Sequence, residues 1–202
     1  MDRTLLRRDV DAILIANDDI VLRDAALTEA IELFRSLNTE GPPTALVGAF
    51  QHDLSTSYSG FRHRPGRGPG ALLLVEPSDK IEVCDTFNGN FVILPAEACR
   101  AVGGLDSGFR HSGGDIDLGY RLKASGVRIA VAPGYLGHCE RGPTLSERAR
   151  SLSRWARIQL VLSPLRSHSD VARLAFKHGG LLTPLVIVKD LLMRLRLVLI
   201  GE

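Results

Sequence analysis

The chain has 202 residues, 45% of them hydrophobic and 24% charged, so it can bury one sizeable core and a smaller appendage. Its three cysteines, an odd number without metal-type spacing, exclude a disulfide scaffold, and no apolar run approaches the ~20 residues of a spanning helix. The net charge of +2 combines a mildly acidic front, residues 1–140 with 14 basic and 19 acidic side chains, with a basic tail, residues 141–202 with 11 and 4.

The first predicted element is a buried strand over residues 11–16, which ends at Asn17, Asp18 and Asp19. Ligands of open α/β sheets gather at the carboxyl ends of strands, so both carboxylates are placed to meet a cation and a diphosphate. Mg²⁺ and Mn²⁺ prefer such oxygen ligands and usually keep substrate phosphates in their shell. The alternative interpretation is a polar turn that ends the strand.

The next segments predict packing elements followed by a long loop. An amphipathic helix over residues 24–37 begins at Asp24 as its N-cap, and a strand follows over residues 44–50. Residues 51–70 are polar and rich in Gly and Pro, which predicts a loop. The three arginines of this loop, Arg62, Arg64 and Arg67, either border a ligand site and bind phosphate or belong to a solvated surface loop.

Strands are predicted over residues 71–76 and 81–87, and they lead into the most informative stretch, residues 88–121. A strand over residues 91–94 precedes a short helix that Pro95 opens and two glycines end. A second helix begins around Asp115 and Asp117. Carboxylates at a helix start stabilise its dipole, so capping is an alternative to a catalytic role.

The order of motifs in this region resembles the second half of the catalytic domain of inverting family 2 glycosyltransferases. The motifs are NGN, an apolar strand, P-x-E-A, VGGLD-x-x-F, GDIDLGYRLKASG and RIAVAPGYLGH. With the acidic residues after the first strand, the resemblance covers roughly residues 10–140. It implies a nucleotide-diphospho-sugar transferase fold of type A: an α/β, Rossmann-like mixed sheet with flanking helices, here partial and followed by a helical tail. Gly114 stands where the family commonly has Glu.

The resemblance assigns Asp115 as the general base of an inverting transfer of a hexosyl or deoxyhexosyl group. Asp117 is expected to position Asp115 or to bind the acceptor. Gly89 allows a ligand to approach the backbone closely, and Asn90 offers an amide for the donor or acceptor.

The resemblance also implies a divalent cation, Mg²⁺ or Mn²⁺. Asp18 and Asp19 correspond to the carboxylates that the family uses for the nucleotide sugar and the metal, with Asp19 the direct ligand. A strand is predicted over residues 128–132, and His138 follows it at the place where a histidine often completes the metal shell. The alternative for His138 is an ordinary surface or core residue.

The composition changes after Arg141, and helices are predicted over residues 145–162, 171–178 and 184–200, with a break at Pro164. On a helical wheel, the charged side chains of the last helix fall on one arc and leave an apolar remainder; they are Lys189, Asp190, Arg194 and Arg196. Such a helix either lies in a membrane interface with its basic rim on anionic lipid or packs on the domain or in a dimer. The tail lacks a nucleic-acid-binding motif, so no nucleic acid partner is expected.

We therefore expect residues 1–140 to form the C-terminal part of a glycosyltransferase domain and residues 141–202 to form a basic helical tail. The expected substrates are a nucleotide-diphosphate sugar and a saccharide or lipid-linked acceptor. Without a signal-peptide pattern, the expected location is cytoplasmic or on the inner membrane face. Because the βα units that precede the first acidic strand in the family have no counterpart here, the alternative is an inactive remnant or a non-catalytic membrane-associated scaffold.

Overall fold

The computed structural model describes residues 9–39, 41–163 and 167–201, so the predicted break at Pro164 lies outside the described residues. The chain divides into two compact units. The first, called the sheet unit, contains the chain up to His63 together with Leu72–Asp106 and Asp115–Arg141. The second, called the helical unit, contains Arg64–Ala71, Ser107–Gly114 and the chain from Gly142. Two short segments from the front of the chain therefore belong to the unit that the tail builds.

The sheet unit contains short strands and three helices among its described residues. The strands are β1 Ala12–Ala16, β2 Val21–Leu22, β3 Thr44–Val47, β4 Phe50–His52, β5 Ser55–Tyr58, β6 Gly60–His63, β7 Leu72–Leu74, β8 Glu82–Cys84, β9 Thr86–Phe87, β10 Phe91–Pro95, β11 Arg128–Val131 and β12 Gly137–His138. The helices are α1 Ala26–Thr39, α2 Ala96–Ala101 and α3 Gly114–Ala124.

The central sheet of the described chain is five-stranded, in the order β1-β10-β3-β11-β8. β10 runs antiparallel to both of its neighbours, with Phe91 opposite Ala16 of β1 and Val92 opposite Val47 of β3. β3 and β11 are parallel. The carboxyl ends of β1, β3 and β11 therefore lie at the same edge as the start of β10, which is the edge where ligands of such sheets bind.

The core of the sheet unit lies on both faces of the central sheet. Val92 of β10 packs in a cluster with Leu118 of α3, and the adjacent residue, Phe91, packs in a second cluster with Phe34 of α1. Residues of β10 alternate between the two faces because successive side chains of a strand point in opposite directions. Helices on both faces explain why β10 is a continuous apolar run and confirm it as a buried strand.

The prediction of a loop over residues 51–70 is wrong for half of that segment. It contains β5 and β6, and within the described chain two smaller sheets take the orders β2-β12-β4-β5 and β7-β6-β9. The β4–β5 hairpin turns at Asp53 and Leu54, which have φ values of 46° and 63°. Leu at a left-handed position is not a turn signal, so the hairpin was hidden in the sequence. Arg64–Ala71, in the helical unit, contains no strand or helix.

The helix predictions around the acidic pair are confirmed. α2 follows Pro95 and ends before Gly103, which has φ 79°, and α3 ends before Gly126, which has φ 90°. α1 begins at Ala26, two residues after the predicted cap, because Ala25 adopts φ 62° directly before it. The Pro and Gly residues at the ends of these helices thus allowed the helix positions next to Asp115 to be predicted.

The described helices of the helical unit are α4 Leu145–Arg150, α5 Arg154–Leu162, α6 His168–His178 and α7 Thr183–Ile200. The predicted continuous helix over residues 145–162 is wrong, because Ser153 caps a new helix by accepting the N–H of Ala156. Thr144 and Glu147 form a capping box at the start of α4. No helix in the described ranges is long and apolar enough to cross a membrane.

Only two of the four charged residues of α7, Lys189 and Arg196, lie in the outward basic rim that the sequence predicts. Asp190 and Arg194 are buried, and Arg194 Nε donates to Asp190 Oδ2 over 2.7 Å. His168 Nδ1 lies 2.6 Å from the same carboxylate oxygen. Apolar side chains of α7 are exposed instead, among them Leu185 and Leu192. A wheel separates the two arcs of a helix, but it does not say which arc the rest of the unit covers.

Candidate active site

Asp115 lies in the first turn of α3, and backbone N–H groups hold both of its carboxylate oxygens. Gly89 N donates to Oδ2 over 2.9 Å, and Ile116 N donates to Oδ1 over 2.8 Å. The side chain is half-buried. Burial raises the pKa of Asp115, and these N–H groups offset only part of that effect because they stabilise the charged form. The site therefore contains a fixed carboxylate that is a stronger base than an exposed aspartate.

A close approach between α3 and β9 fixes the position of this helix. A Cβ atom on Gly119 would lie 2.2 Å from Thr86 Oγ1 and 2.9 Å from its Cα, so only glycine fits there. Thr86 Oγ1 also donates to the carbonyl of Ile116 over 2.8 Å. These contacts hold the turn of α3 that carries Asp115 against the strand leading to Gly89.

Asp117 is completely buried and is not available to a ligand in this structure. Its Oδ2 accepts from Arg121 Nε over 2.8 Å. Arg121 also donates to the carbonyls of Val102 and Gly104, the latter over 2.7 Å. Because the pair joins α3 to the turn after α2, Asp117 fits the predicted positioning role, and burial argues against the alternative that it touches the acceptor.

Asn90 joins the ends of three strands at the edge of the central sheet. Its Oδ1 accepts from Asn17 Nδ2 over 2.9 Å, and its Nδ2 donates to Cys139 Sγ over 3.4 Å. Its backbone N–H donates to Asn88 Oδ1, and its carbonyl accepts from Asn17 N, each over 2.9 Å. The side chain is buried, so Asn90 organises the site instead of presenting its amide to a ligand.

Asp18 and Asp19 are both exposed after β1. The thiol of Cys139 lies 3.8 Å from Asp19 Oδ1 and donates to it. Burial, and next the Asp19 carboxylate, raise the pKa of the Cys139 thiol, which favours the neutral form that donates to Asp19. Through Asn90 and Cys139, the structure connects Asp19 to the turn that holds Asp115.

His138 is the second residue predicted to hold the metal, beside Asp19. His138 is exposed in β12, opposite Val21 of β2 and Gln51 of β4. Within residues 9–39, 41–163 and 167–201, no three His, Cys, Asp or Glu side chains gather closely enough to hold a metal ion. Asp18 and Asp19 alone still fit a hard divalent cation, because their exposed oxygens leave the remaining positions to phosphates and water.

A family model described as glycosyl transferase family group 2 matches residues 79–201, which is more than half of the chain. The chain belongs to this glycosyltransferase family. No curated protein matches it. The match confirms the predicted resemblance, and the mixed sheet with flanking and C-terminal helices agrees with a partial type A fold.

Membership in the glycosyltransferase family establishes the general activity class, glycosyl transfer from a nucleotide sugar to an acceptor. The matched region includes Asp115 and His138 and continues through the helices of the tail. Asp18 and Asp19 precede the matched region, so their roles depend on the geometry described above.

Sequence reasoning missed two residues of this glycosyltransferase site, Asn17 and Cys139. Asn17 precedes the acidic pair and looked like part of a turn. Cys139 directly follows β12, and it is buried whereas His138 is exposed. In the sequence, the available signal was the order polar, apolar, polar in residues 138–140, which predicts that the middle side chain of an extended segment points inward.

Proposed function

We propose that this glycosyltransferase inverts the anomeric centre of a nucleotide-diphosphate sugar in a single displacement, with Asp115 as the general base. The acceptor oxygen forms a bond to the anomeric carbon while the bond from that carbon to the diphosphate breaks. The bonding electrons leave with the diphosphate, and Asp115 takes the proton of the acceptor hydroxyl. The observation that carries the proposal is the line of contacts from Asp115 through Gly89, Asn90 and Cys139 to Asp19.

The environment of Asp115 suits the role of a base. A general base must be ionised and lie at a fixed place within reach of the hydroxyl. The two N–H donors fix the carboxylate, and the raised pKa increases its proton affinity. Asp117 supports the role indirectly, because its buried pair with Arg121 secures the first turns of α3.

Asp18 and Asp19 would bind the donor side of the reaction. Asp19 is the proposed ligand of Mg²⁺ or Mn²⁺, and Asp18 orients the donor. When bound, the cation supplies positive charge that neutralises the departing diphosphate. Asn90 and Cys139 maintain the position of Asp19 at the sheet edge, and the partly buried backbone at Gly89 is the proposed contact for the sugar.

Donor binding and turnover by the intact chain test the proposal. Calorimetry with uridine, guanosine and thymidine diphosphate sugars in the presence of Mn²⁺ should give heat for at least one donor. Release of the nucleoside diphosphate should accompany that heat when acceptors are supplied. If no donor gives heat or product, the proposed function is wrong and the scaffold alternative replaces it.

We also propose that the helical unit attaches peripherally to anionic lipid on the inner face of a membrane. Leu185 and Leu192 of α7 are 65% and 61% exposed, and Leu195 beside them is 55% exposed. Lys189 and Arg196, on the same helix, are exposed as well. An apolar helix face with adjacent cations fits the interface of an anionic bilayer, and the excess of basic residues after residue 140 supports that occupant.

Liposome flotation tests the attachment. The intact chain should float with vesicles of phosphatidylglycerol and phosphatidylcholine and less with phosphatidylcholine alone. Leu192→Asp should reduce flotation strongly, whereas Leu54→Asp, at a turn residue that is 98% exposed in the sheet unit, should not. Equal flotation of both variants would contradict the proposal. A dimer in light scattering that only Leu192→Asp dissociates would assign this face to a second copy of the chain.

A further inference from the structure

One aspartate of the tail holds the backbone of the segment Ser107–Gly114. Asp170, near the start of α6, accepts three backbone N–H groups from this segment. Its Oδ1 accepts from Arg110 N over 3.0 Å, and its Oδ2 accepts from His111 N and Ser112 N, each over 3.1 Å. Asp170 is 1% exposed, so these bonds are shielded from water. Charge-assisted bonds of this kind are the strong class of hydrogen bond.

A second contact from α6 holds the same segment. The guanidinium carbon of Arg173 and Nζ of Lys177 lie 5.7 Å and 5.6 Å from the ring centroid of Phe109. Both distances are within the range of a cation–π interaction. A Cβ atom on Gly108 would lie 2.1 Å from the guanidinium carbon of Arg173, so the end of this side chain lies directly against the backbone of the segment.

This segment requires external support because it cannot stabilise itself. Residues 107–113 form no helix or strand, and Gly113 has φ 85°. Two consecutive glycines, Gly113 and Gly114, lose more conformational entropy on folding than other residues would. Asp115 follows directly in the chain, in the helix that begins at Gly114.

We propose that Asp170 is a positioning residue for glycosyl transfer, which acts by fixing the loop that leads into the general base Asp115. The inference rests on the proposed function of Asp115. Ordering the three amides of residues 110–112 restricts the backbone conformations open to the glycine pair that directly precedes Asp115. The helical tail then contributes to catalysis as well as to the fold.

The geometry predicts which kinetic constant responds. A misplaced base reduces the rate of the chemical step, and a displacement of about 1 Å can cost ~10²-fold. Donor binding depends on Asp18 and Asp19, which lie in a different part of the sequence. Loss of the Asp170 bonds should therefore lower kcat and leave the dissociation constant of the donor unchanged.

Asp170→Asn is the direct test, because an amide has the same shape but only one acceptor oxygen for three donors. Hydrogen–deuterium exchange should become at least ~10-fold faster in the peptide that covers residues 107–114 and stay unchanged in the peptide that covers β10. The kcat for nucleoside diphosphate release should fall by ~10²-fold with unchanged donor affinity in calorimetry. Asp170→Glu, which keeps the charge, should recover part of the rate.

Two further variants complete the experiment. Asp79→Asn makes the same chemical change at an exposed residue and should keep the wild-type kcat. If Asp170→Asn fails to fold by circular dichroism, Phe109→Leu replaces it, since this change removes the ring that the two cations contact. If Asp170→Asn or Phe109→Leu folds and keeps the wild-type kcat, the positioning role of Asp170 is wrong, while the proposed function is unaffected. Absence of turnover in the intact chain would instead overturn the proposed function.

Discussion

The backbone N–H of Gly89 donates to Asp115 Oδ2 over 2.9 Å, although the two residues are 26 positions apart in the chain. This bond places the carboxylate beside the turn that begins β10. Asn90, the next residue of that turn, binds Asn17 and Cys139. The contact between Gly89 and Asp115 thus connects the proposed base with the side of the site that carries Asp19.

Replacing Asp115 with asparagine preserves the size of the side chain but removes its ability to accept a proton. We expect kcat to fall by ~10² to 10⁴-fold, the usual contribution of a general base. Donor affinity in calorimetry should remain unchanged, because the proposed donor ligands are elsewhere. Asp79→Asn serves as the control, and full kcat in Asp115→Asn would remove the residue from its role.

The pH profile of the reaction should show the raised pKa of Asp115. Burial raises this pKa, so the carboxylate becomes protonated, and inactive as a base, at a higher pH than an ordinary aspartate. The acid limb of kcat/KM, which reports the free enzyme, should therefore lie above the ordinary value of ~3.9. If kcat/KM did not begin to fall until the pH was at or below ~3.9, the assignment of Asp115 as the base would be contradicted.

Gly119→Ala tests the close approach between α3 and β9. The added methyl group would overlap Thr86, and overpacking of this kind usually costs ~1 to 3 kcal/mol of unfolding free energy. Denaturant unfolding followed by circular dichroism measures the loss. Gly70→Ala is the matched control, because a Cβ atom there meets nothing within 4 Å and should leave stability unchanged. Equal stability of both variants would show that the helix can shift without cost.

Asp117→Asn should affect stability more than ligand binding. The substitution removes the charge from a buried pair and leaves the Arg121 guanidinium without it, which typically costs ~3 kcal/mol. We expect a lower unfolding free energy and unchanged donor affinity in the remaining folded protein. Normal stability together with a loss of donor binding would contradict this prediction and would indicate that Asp117 binds the ligand.

The elements around Asp115 were predictable because their boundaries are written in local sequence. Pro95 opens α2, and glycines end α2 and α3. The β4–β5 hairpin was not predictable in the same way, because its turn has Leu54 where a glycine usually follows Asp. Predictions therefore succeeded where single residues determine backbone conformation and failed where pairing between strands overrides a weak local signal.

The residues of the site were predictable in type but not in role. Asp115 and Asp19 stand out as carboxylates near the ends of elements. The burial of Asp117 and Asn90, however, depends on which neighbours cover them in three dimensions. The same limit applies to α7, whose wheel gives two arcs but not the buried one.

β10 starts at the edge of the central sheet where β1, β3 and β11 end. The turn before β10 can therefore be lengthened at this edge to change the site. This turn, residues 88–90, sets the distance between Asp115 and Asp19. Inserting a single glycine into this turn should increase the distance between Asp115 and Asp19 and leave every strand pairing of the sheet intact. The protein should still fold, but Asp115 would no longer be held at its distance from the donor-binding carboxylates. Such a variant would separate donor binding from the chemical step without a change to any functional side chain.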